Sequence, residues 1–271
     1  MGELAERWER YLGEHRGHPP LDEACAMLAA EEGSSATVEG VREALDALAM
    51  GAGSSDPRTA LARLIHRLFV DEGLRGEEVE YDHPGNSCID DVLIRRQGLP
   101  LLLSIITSEV GRRVGVPLDV IGFPGHVIVA TREDPRIFLD PFRGGARRTV
   151  DDLALALGRH LGREPDPAEL SEALSPTPPV DLLLRMCNNL VGSWIRRGDL
   201  AGALRNADRR VGLRPDVHLL RRERGLLHAR LGQHTLAARD LEHYLAHSPG
   251  APDASRVAVQ LSLVLRYVQR A

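Results

Sequence analysis

The chain has 271 residues, a formal net charge of -5 and an apolar content of 43%. That length allows one large domain or two ordinary ones, and the charge gives no electrostatic reason to expect nucleic acid or an anionic membrane surface as a partner. The longest apolar run, from Leu99 to Ile106, is too short to span a bilayer. The charged N-terminus has no signal-peptide core and the three cysteines are scattered, so we expect a cytoplasmic protein without disulfides.

The N-terminal part of the chain is predicted to be a segment of short helices. Between Leu21 and Ala29 the apolar residues recur at helical spacing, so they share one face, on which Cys25 is a core residue. Thr37 is placed to cap the next helix. The composition of residues 51–56 is that of a loop, so we bound this helical segment at residues 1–56.

A strong helix is predicted directly after this loop. Asp56 takes the N-cap position and Pro57 the first helical position, a pair that favours the start of a helix. The apolar residues that follow form one stripe at helical spacing, which predicts a core helix. The stripe consists of Leu61, Leu64, Ile65, Leu68 and Phe69.

A second core helix is predicted from Pro100 to about Val114. The chain is broken before it at Gly98 and Leu99, and proline suits the first turn of a helix. The first residues of this helix are apolar on most faces, so we expect it to be buried on several sides.

Three short strands rich in Val and Ile are predicted after this helix. An antiparallel sheet packed on one buried helix is the economical arrangement, which gives an α+β fold. Helical residues follow from Val150 to about Leu174, and the proline-rich residues 175–179 indicate a linker, so we assign residues 57–174 to one core domain. The predicted strands are Leu118 to Gly122, His126 to Thr131 and Ile137 to Asp140.

The last third of the chain repeats itself at an interval of about 34 residues. Each repeat consists of a helix, a tight turn at glycine, a second helix and a proline, which is the pattern of tetratricopeptide repeats. We therefore predict an all-α repeat region at residues 180–271, with residues 254–269 as the capping helix. The paired positions are Gly198 and Gly232, Ala203 and Ala237, and Pro215 and Pro249.

His126 and Asp140 are the candidate catalytic residues of the core. Each lies near the end of a predicted strand, and antiparallel pairing of sequential strands would bring the two side chains within reach. A carboxylate beside an imidazole fixes its tautomer and raises its basicity, which prepares the imidazole to activate a nucleophile. The alternative is a structural histidine and a turn aspartate. A lysine-based mechanism is excluded, because the sequence contains no lysine.

Several short motifs of the chain also occur together in one known family. They are Asn86-Ser87, Val92-Leu93, Arg95-Arg96-x-Gly98-Leu99-Pro100, Gly122-Phe123-Pro124-Gly125-His126, Leu139-Asp140-Pro141-Phe142, Asn188-Asn189-Leu190 and Arg224-Gly225-Leu226-Leu227. With these motifs the chain resembles the SirB-type branch of the transglutaminase-like superfamily, whose members carry C-terminal tetratricopeptide repeats. The resemblance implies a mainly helical, transglutaminase-like (papain-like) core with a small antiparallel sheet, followed by an all-α repeat region.

The resemblance also implies where a catalytic triad would lie. In the wider superfamily a cysteine begins a buried helix, and a histidine and an aspartate lie on following strands, where this chain has His126 and Asp140. The cysteine would fall two residues after Gly98, and this chain has Pro100 there. Proline has no nucleophile, so the triad implied by the resemblance is incomplete.

Two other side chains could replace the missing nucleophile. Ser104 lies one helical turn beyond Pro100, and Cys88 lies upstream beside Ser87. The alternative roles are structural: Cys88 would be a core residue, and the Ser104 hydroxyl would bond back to the preceding helical turn.

We predict a non-catalytic binding module for a protein or peptide, with the repeats adding a concave surface. The alternative is an acyl-transferase or peptidase-like enzyme that uses His126 and Asp140 with a relocated nucleophile. A third option is a metal-dependent activity of these two residues with His83. We predict no cofactor, no metal, no nucleic acid and no membrane as partners. The binding residues of the core are predicted to be Asn86, Ser87, Gly98, Pro100 and Gly125.

Overall fold

The computed structural model describes residues 2–269 of the chain. The described residues form thirteen α-helices and six short strands, and their contacts divide them into two compact units. We call residues 19–182 the core unit, and residues 2–18 together with 183–269 the repeat unit. The predicted fold class is confirmed, since the described chain is mainly helical with a small antiparallel sheet. Within residues 2–269, no helix combines the length and the hydropathy needed to cross a membrane.

The first helices of the core unit begin at caps that the sequence predicts. Thr37 Oγ1 accepts a hydrogen bond from the Gly40 amide at 3.0 Å, and Asp56 Oδ2 accepts one from the Thr59 amide at 2.8 Å. Both predicted caps are therefore confirmed, and each satisfies an amide that the first helical turn leaves without a helical acceptor. The helices of this unit are α2 (Leu21–Glu31), α3 (Val38–Ala49), α4 (Pro57–His66), α5 (Ile89–Arg95), α6 (Pro100–Arg113), α7 (Val150–Leu161) and α8 (Pro167–Ala173).

The predicted stripe on α4 extends past the end of that helix. After His66 the chain widens into a π-helical segment, Arg67–Asp71, which adds a residue to the turn. Leu68 is fully buried there, whereas Phe69 is only half-buried and lies against Gly145. A β-carbon on Gly145 would come within 2.4 Å of the Phe69 ring, so this contact requires glycine.

The helix α6 is buried on several sides, as predicted. It begins at Pro100, and ten of its fourteen residues are buried. It packs against α3 on one side and against the strands β3 and β4 (Leu118–Ile121 and Ile128–Thr131) on another. Since each fully buried Leu or Ile contributes about 1.5–3 kcal/mol, this helix is a main source of the stability of the core unit.

Four antiparallel strands form a meander in the order β3–β4–β5–β6, with β5 at Phe138–Asp140 and β6 at Ala146–Arg148. The sequence predicts the first three strands and misses β6, whose residues Ala, Arg and Arg show no apolar alternation. The second strand begins at Ile128, so the prediction that it starts at His126 is wrong. Residues 123–126 form a turn instead, in which the His126 amide donates to the Phe123 carbonyl at 3.0 Å. The parallel pair β1 (Arg75–Gly76) and β2 (Gln97–Gly98) is also unpredicted.

Asp22 is a buried carboxylate at the start of α2. Only 4% of the residue is exposed, and it accepts hydrogen bonds from the Glu23 amide at 2.9 Å and from Arg113 Nη2 at 3.1 Å. Arg42 Nε lies 3.5 Å from the same carboxylate. Burial by itself raises the pKa of Asp22, but these hydrogen bonds and charges outweigh it, so the pKa lies below its ordinary value of 3.8.

We expect the stability of the core unit to depend on the charge of Asp22. Because the folded-state pKa is lowered, the stabilisation is present above pH 3.8 and is lost as the pH falls below that value. Asp22→Asn should cost about 1–3 kcal/mol at neutral pH and should weaken this acid dependence. Urea unfolding followed by circular dichroism at neutral and acidic pH measures both effects. Asp46→Asn is the matched control, because Asp46 also binds Arg113 but is exposed; equal losses from the two variants would contradict the prediction.

The repeat unit is a series of helices that pack on their neighbours in sequence. The predicted turn glycines Gly198 and Gly232 have left-handed backbone angles φ of 78° and 72°, which other residues adopt at a cost. Pro215 and Pro249 follow the ends of α10 and α12, so the predicted repeat pattern is confirmed. The helices are α9 (Pro179–Arg196), α10 (Leu200–Leu213), α11 (His218–Arg230), α12 (His234–His247) and α13 (Ala254–Val268). The division between the two units falls within α9.

The first helix of the chain, α1 (Glu3–Glu14), belongs to the repeat unit. It packs so closely on α10 that a β-carbon on Gly212 would lie 2.3 Å from the Ala5 carbonyl oxygen. The Ala5 amide donates to Asp208 Oδ2 at 3.0 Å, so a side chain of α10 caps α1. The sequence grouped α1 with α2 and α3 in the segment 1–56, whereas the contacts group it with the C-terminal helices.

Candidate functional site

The structure brings His126 and Asp140 together. Asp140 is the last residue of β5, and His126 follows the turn at Gly125, whose φ is 72°. The distance from His126 Nε2 to Asp140 Oδ1 is 2.9 Å, which is a hydrogen bond. This contact orients the imidazole ring on the carboxylate.

Asp140 is held by more than the histidine. The residue is fully buried, and its Oδ1 also accepts a hydrogen bond from the Arg143 amide at 3.3 Å. On the other side, Arg148 Nη1 lies 3.4 Å from Oδ2. An amide, a guanidinium and an imidazole therefore compensate the cost of burying this carboxylate.

An aromatic wall stands beside the exposed part of the imidazole. The side chain of His126 is 27% exposed, and its ring meets the Phe142 ring edge to face, with 6.0 Å between centroids. Phe142 also meets Tyr81 edge to face at 6.4 Å. Burial and the charge of Asp82 raise the pKa of Tyr81 above 10.0, so its hydroxyl stays protonated at neutral pH and can donate a hydrogen bond.

Pro100 occupies the start of α6, where the resemblance places a nucleophile. The residue is buried, and its ring nitrogen carries no proton. The chain before it is fixed by the Leu99 amide, which donates to the Asn86 carbonyl at 3.2 Å. This helix start therefore offers neither a thiol nor a hydroxyl at the position of the superfamily cysteine.

The two conceivable substitute nucleophiles are both buried. Cys88 Sγ donates to the Pro84 carbonyl at 3.7 Å, and Ser104 Oγ donates to the Val127 carbonyl at 3.4 Å. Ser104 therefore bonds to the chain directly after His126. The predicted structural role, a hydrogen bond back to the preceding turn of its own helix, is not the contact that forms. Neither contact leads to the imidazole itself, so both hydrogen bonds describe structural roles for these side chains.

The predicted binding residues differ in their surroundings. Asn86, Ser87, Gly98 and Pro100 are buried, whereas Gly125 is exposed in the turn before His126. The Asn86 amide group donates to the Glu80 and Tyr81 carbonyls at 2.7 and 3.2 Å, and its Oδ1 accepts from both terminal nitrogens of Arg95 at 3.1 Å. The Asn86 side chain thus links the turn before α5 to the rest of the core unit. Because Asn86, Ser87, Gly98 and Pro100 are buried, they offer little surface to a ligand.

The third option, a metal held by His83 with the dyad, has no support in the geometry. His83 Nδ1 accepts a hydrogen bond from the Gly85 amide at 3.1 Å within its own turn. Among residues 2–269, His83 forms no ligand-spaced group with His126 and Asp140.

Sequence reasoning missed two residues of the site, Arg148 and Phe142. Arg148 lies on the unpredicted strand β6, whose pairing of Ala146 with Asp140 brings the arginine to the carboxylate. Phe142 belongs to the motif Leu139-Asp140-Pro141-Phe142, and its place two residues after a candidate catalytic residue could have marked it.

Fold and site together define the class of this protein: a transglutaminase-like core with a histidine–aspartate dyad, joined to tetratricopeptide repeats. The family model of the transglutaminase-like superfamily matches residues 39–188, and a tetratricopeptide repeat model matches residues 190–262. These two domains indicate a protein-interaction module. The predicted resemblance is thereby confirmed.

Relatives of similar length identify the branch. A UPF0162 protein of Xylella fastidiosa is 36% identical over 73% of this chain and 71% of its own length. UPF0162 proteins of Vibrio cholerae and Pseudomonas aeruginosa are each 30% identical, over 72% and 73% of this chain and 73% of their own lengths. No solved structure matches the chain. The chain therefore belongs to the transglutaminase-like superfamily, in its UPF0162 (SirB-type) branch.

Proposed function

We propose that this protein is a non-catalytic binding module for protein or peptide partners. The observation that carries the proposal is Pro100, which stands where the superfamily pattern has its cysteine nucleophile. The dyad of His126 and Asp140, beside the Phe142 ring, then acts as a polar anchor for the partner, and the repeats supply a second binding surface.

The repeat unit contains a cavity suited to an apolar anchor of a peptide. Its volume is about 410 Å³, in the range of small-ligand pockets. Arg224 in its wall donates to both Asp240 and Asp208, so its charge offsets one of these two carboxylates. The apolar residues of the wall, which would contact the anchor, are Leu4, Ala201, Leu204, Leu231 and Leu236.

Selection of peptides from a displayed random library against the full chain tests this binding function. We expect enriched peptides to bind Leu236→Glu at least tenfold more weakly, because the new carboxylate would lie in the apolar wall. Leu236 is 47% exposed, so the fold should tolerate the change. Val259→Glu is the matched control, since Val259 is 59% exposed in the same unit but lies outside the cavity.

The outcomes separate the two parts of the proposal. Peptides that lose affinity on His126→Ala would bind at the dyad of the core unit, whereas peptides that lose affinity on Leu236→Glu would bind the repeat cavity. A selection that enriches no peptide, or peptides that bind all variants equally, would refute both binding sites.

The second candidate function is acyl transfer or hydrolysis, and the 2.9 Å contact of His126 with Asp140 favours it. Activated esters and thioesters are suitable test substrates. A reproducible turnover that His126→Ala abolishes and His160→Ala leaves unchanged would establish this enzyme and overturn the non-catalytic proposal. His160 is an exposed histidine on α7 of the same unit. Ser104→Ala and Cys88→Ala would then identify the nucleophile.

A further inference from the structure

Three histidines of the repeat unit lie together where α11 begins and α12 ends. His218 is the first residue of α11, and His243 and His247 are one turn apart at the end of α12. One nitrogen from each of the three rings lies within 4.8 Å of the others. We propose that these histidines bind a transition-metal ion of the Zn²⁺ type and so link the two helices, a role separate from the peptide binding proposed above.

The spacing of the nitrogens fits a tetrahedral ion. His218 Nδ1 and His243 Nε2 are 3.2 Å apart. Two ligands of a tetrahedral zinc ion at about 2.0–2.1 Å from the metal are separated by roughly 3.3 Å. The closest pair therefore already has the distance of one edge of the coordination tetrahedron, and the nitrogen of the third ring lies within 4.8 Å of both.

His247 is in the tautomer that a metal ligand needs. Its Nδ1 is 2.8 Å from the His243 carbonyl oxygen, which can only accept a hydrogen bond, so Nδ1 carries the proton. In the neutral ring the lone pair then resides on Nε2. A backbone carbonyl that fixes the second nitrogen in this way is the common support of metal-binding histidines.

One charged side chain near the cluster bears on metal binding, the guanidinium of Arg221. Arg221 disfavours a cation here, but its Nη1 lies 3.8 Å from Asp240, whose carboxylate offsets part of that charge.

The donor set selects the class of ion. Imidazole nitrogens favour Zn²⁺, Cu²⁺ and Ni²⁺ over Mg²⁺ and Ca²⁺, which prefer oxygen. Three protein ligands leave a fourth position for water or for a side chain of a partner. The sequence analysis predicted no metal. His243 and His247 show the spacing of one helical turn, whereas His218 is brought to them only by the packing of α11 on α12.

Equilibrium dialysis of the full chain against Zn²⁺ at neutral pH tests the site. We expect one tightly bound ion per chain, and at least a tenfold loss of affinity in His243→Ala and in His218→Ala. His160→Ala, which removes an exposed histidine of the core unit, should bind as the wild type does. Binding that is absent in the wild type, or that survives both cluster variants, would overturn the proposal.

A measurement on the unmodified protein avoids any folding defect of the variants. Titration with Zn²⁺ should shift the imidazole resonances of three histidines together in the nuclear magnetic resonance spectrum, with a Mg²⁺ titration leaving them in place. Shifts that spread over the other histidines, or that Mg²⁺ reproduces, would show non-specific binding and refute the site.

Discussion

Arg224→Ala is expected to lower the free energy of unfolding of the repeat unit by about 3–5 kcal/mol. Arg224 is 4% exposed, and its Nε and Nη2 donate to the two oxygens of Asp240, each at 2.7 Å. Its Nη1 donates to Asp208, which in turn caps α1 through the Ala5 amide. Removing the guanidinium would leave the buried carboxylate of Asp240 without its main partner and would loosen the cap of α1.

The pKa of Arg224 reflects the same balance of forces. Burial alone lowers the pKa of this guanidinium, but the hydrogen bonds and charges of Asp240 and Asp208 raise it above its ordinary value. The two carboxylates therefore favour the charged form of the guanidinium in spite of its burial. This is the condition under which loss of one partner is strongly destabilising.

Urea unfolding followed by tryptophan fluorescence measures this prediction on the right unit. Both tryptophans of the chain, Trp8 and Trp194, belong to the repeat unit. Arg230→Ala is the matched control, because Arg230 lies on the same helix but is exposed, and its loss should change stability by no more than about 0.5 kcal/mol. Equal midpoints for the two variants would show that the buried network contributes little to stability.

Local sequence signals predicted the helical parts of this fold well. The caps at Thr37 and Asp56, the proline that begins α6 and the turn glycines of the repeats each depend on a residue's own backbone preference. The strand β6 could not be found this way, because its residues gain their extended form only by pairing with β5.

The candidate site was predictable only in part, because some of its residues are also brought together by pairing and packing and not by local preference. His126 and Asp140 lie fourteen residues apart on one meander, so their contact follows from strand order. Arg148 depends on the unpredicted strand, and the cluster of His218 with His243 depends on helix packing across twenty-five residues. Contacts between elements that are set by tertiary packing carry no local signal.

Asp140→Ala is expected to lower the free energy of unfolding of the core unit by about 2–4 kcal/mol. The change removes the acceptor for His126 Nε2 and for the Arg143 amide, and it leaves the Arg148 guanidinium without its carboxylate. Hydrogen exchange of the amides in β4 and β5 reports on this unit, which contains neither tryptophan.

Two further variants divide this loss into its parts. Asp140→Asn keeps an oxygen for the histidine and for the Arg143 amide but loses the charge opposite Arg148. Arg148→Ala removes only the guanidinium, whose contact with the carboxylate is 3.4 Å long, so we expect it to cost about 1 kcal/mol or less. The order of losses should therefore be Asp140→Ala, then Asp140→Asn, then Arg148→Ala.

The size of the loss bears on why the dyad is present in a chain with Pro100 at the helix start. A charged group placed for catalysis commonly reduces stability, so its removal leaves stability unchanged or improves it. A loss of several kcal/mol in Asp140→Ala would instead mean that the carboxylate holds β5, the following turn and His126 in place. That result would explain the dyad as framework for a binding surface, whereas a gain in stability would favour a role in chemistry and weaken the non-catalytic proposal.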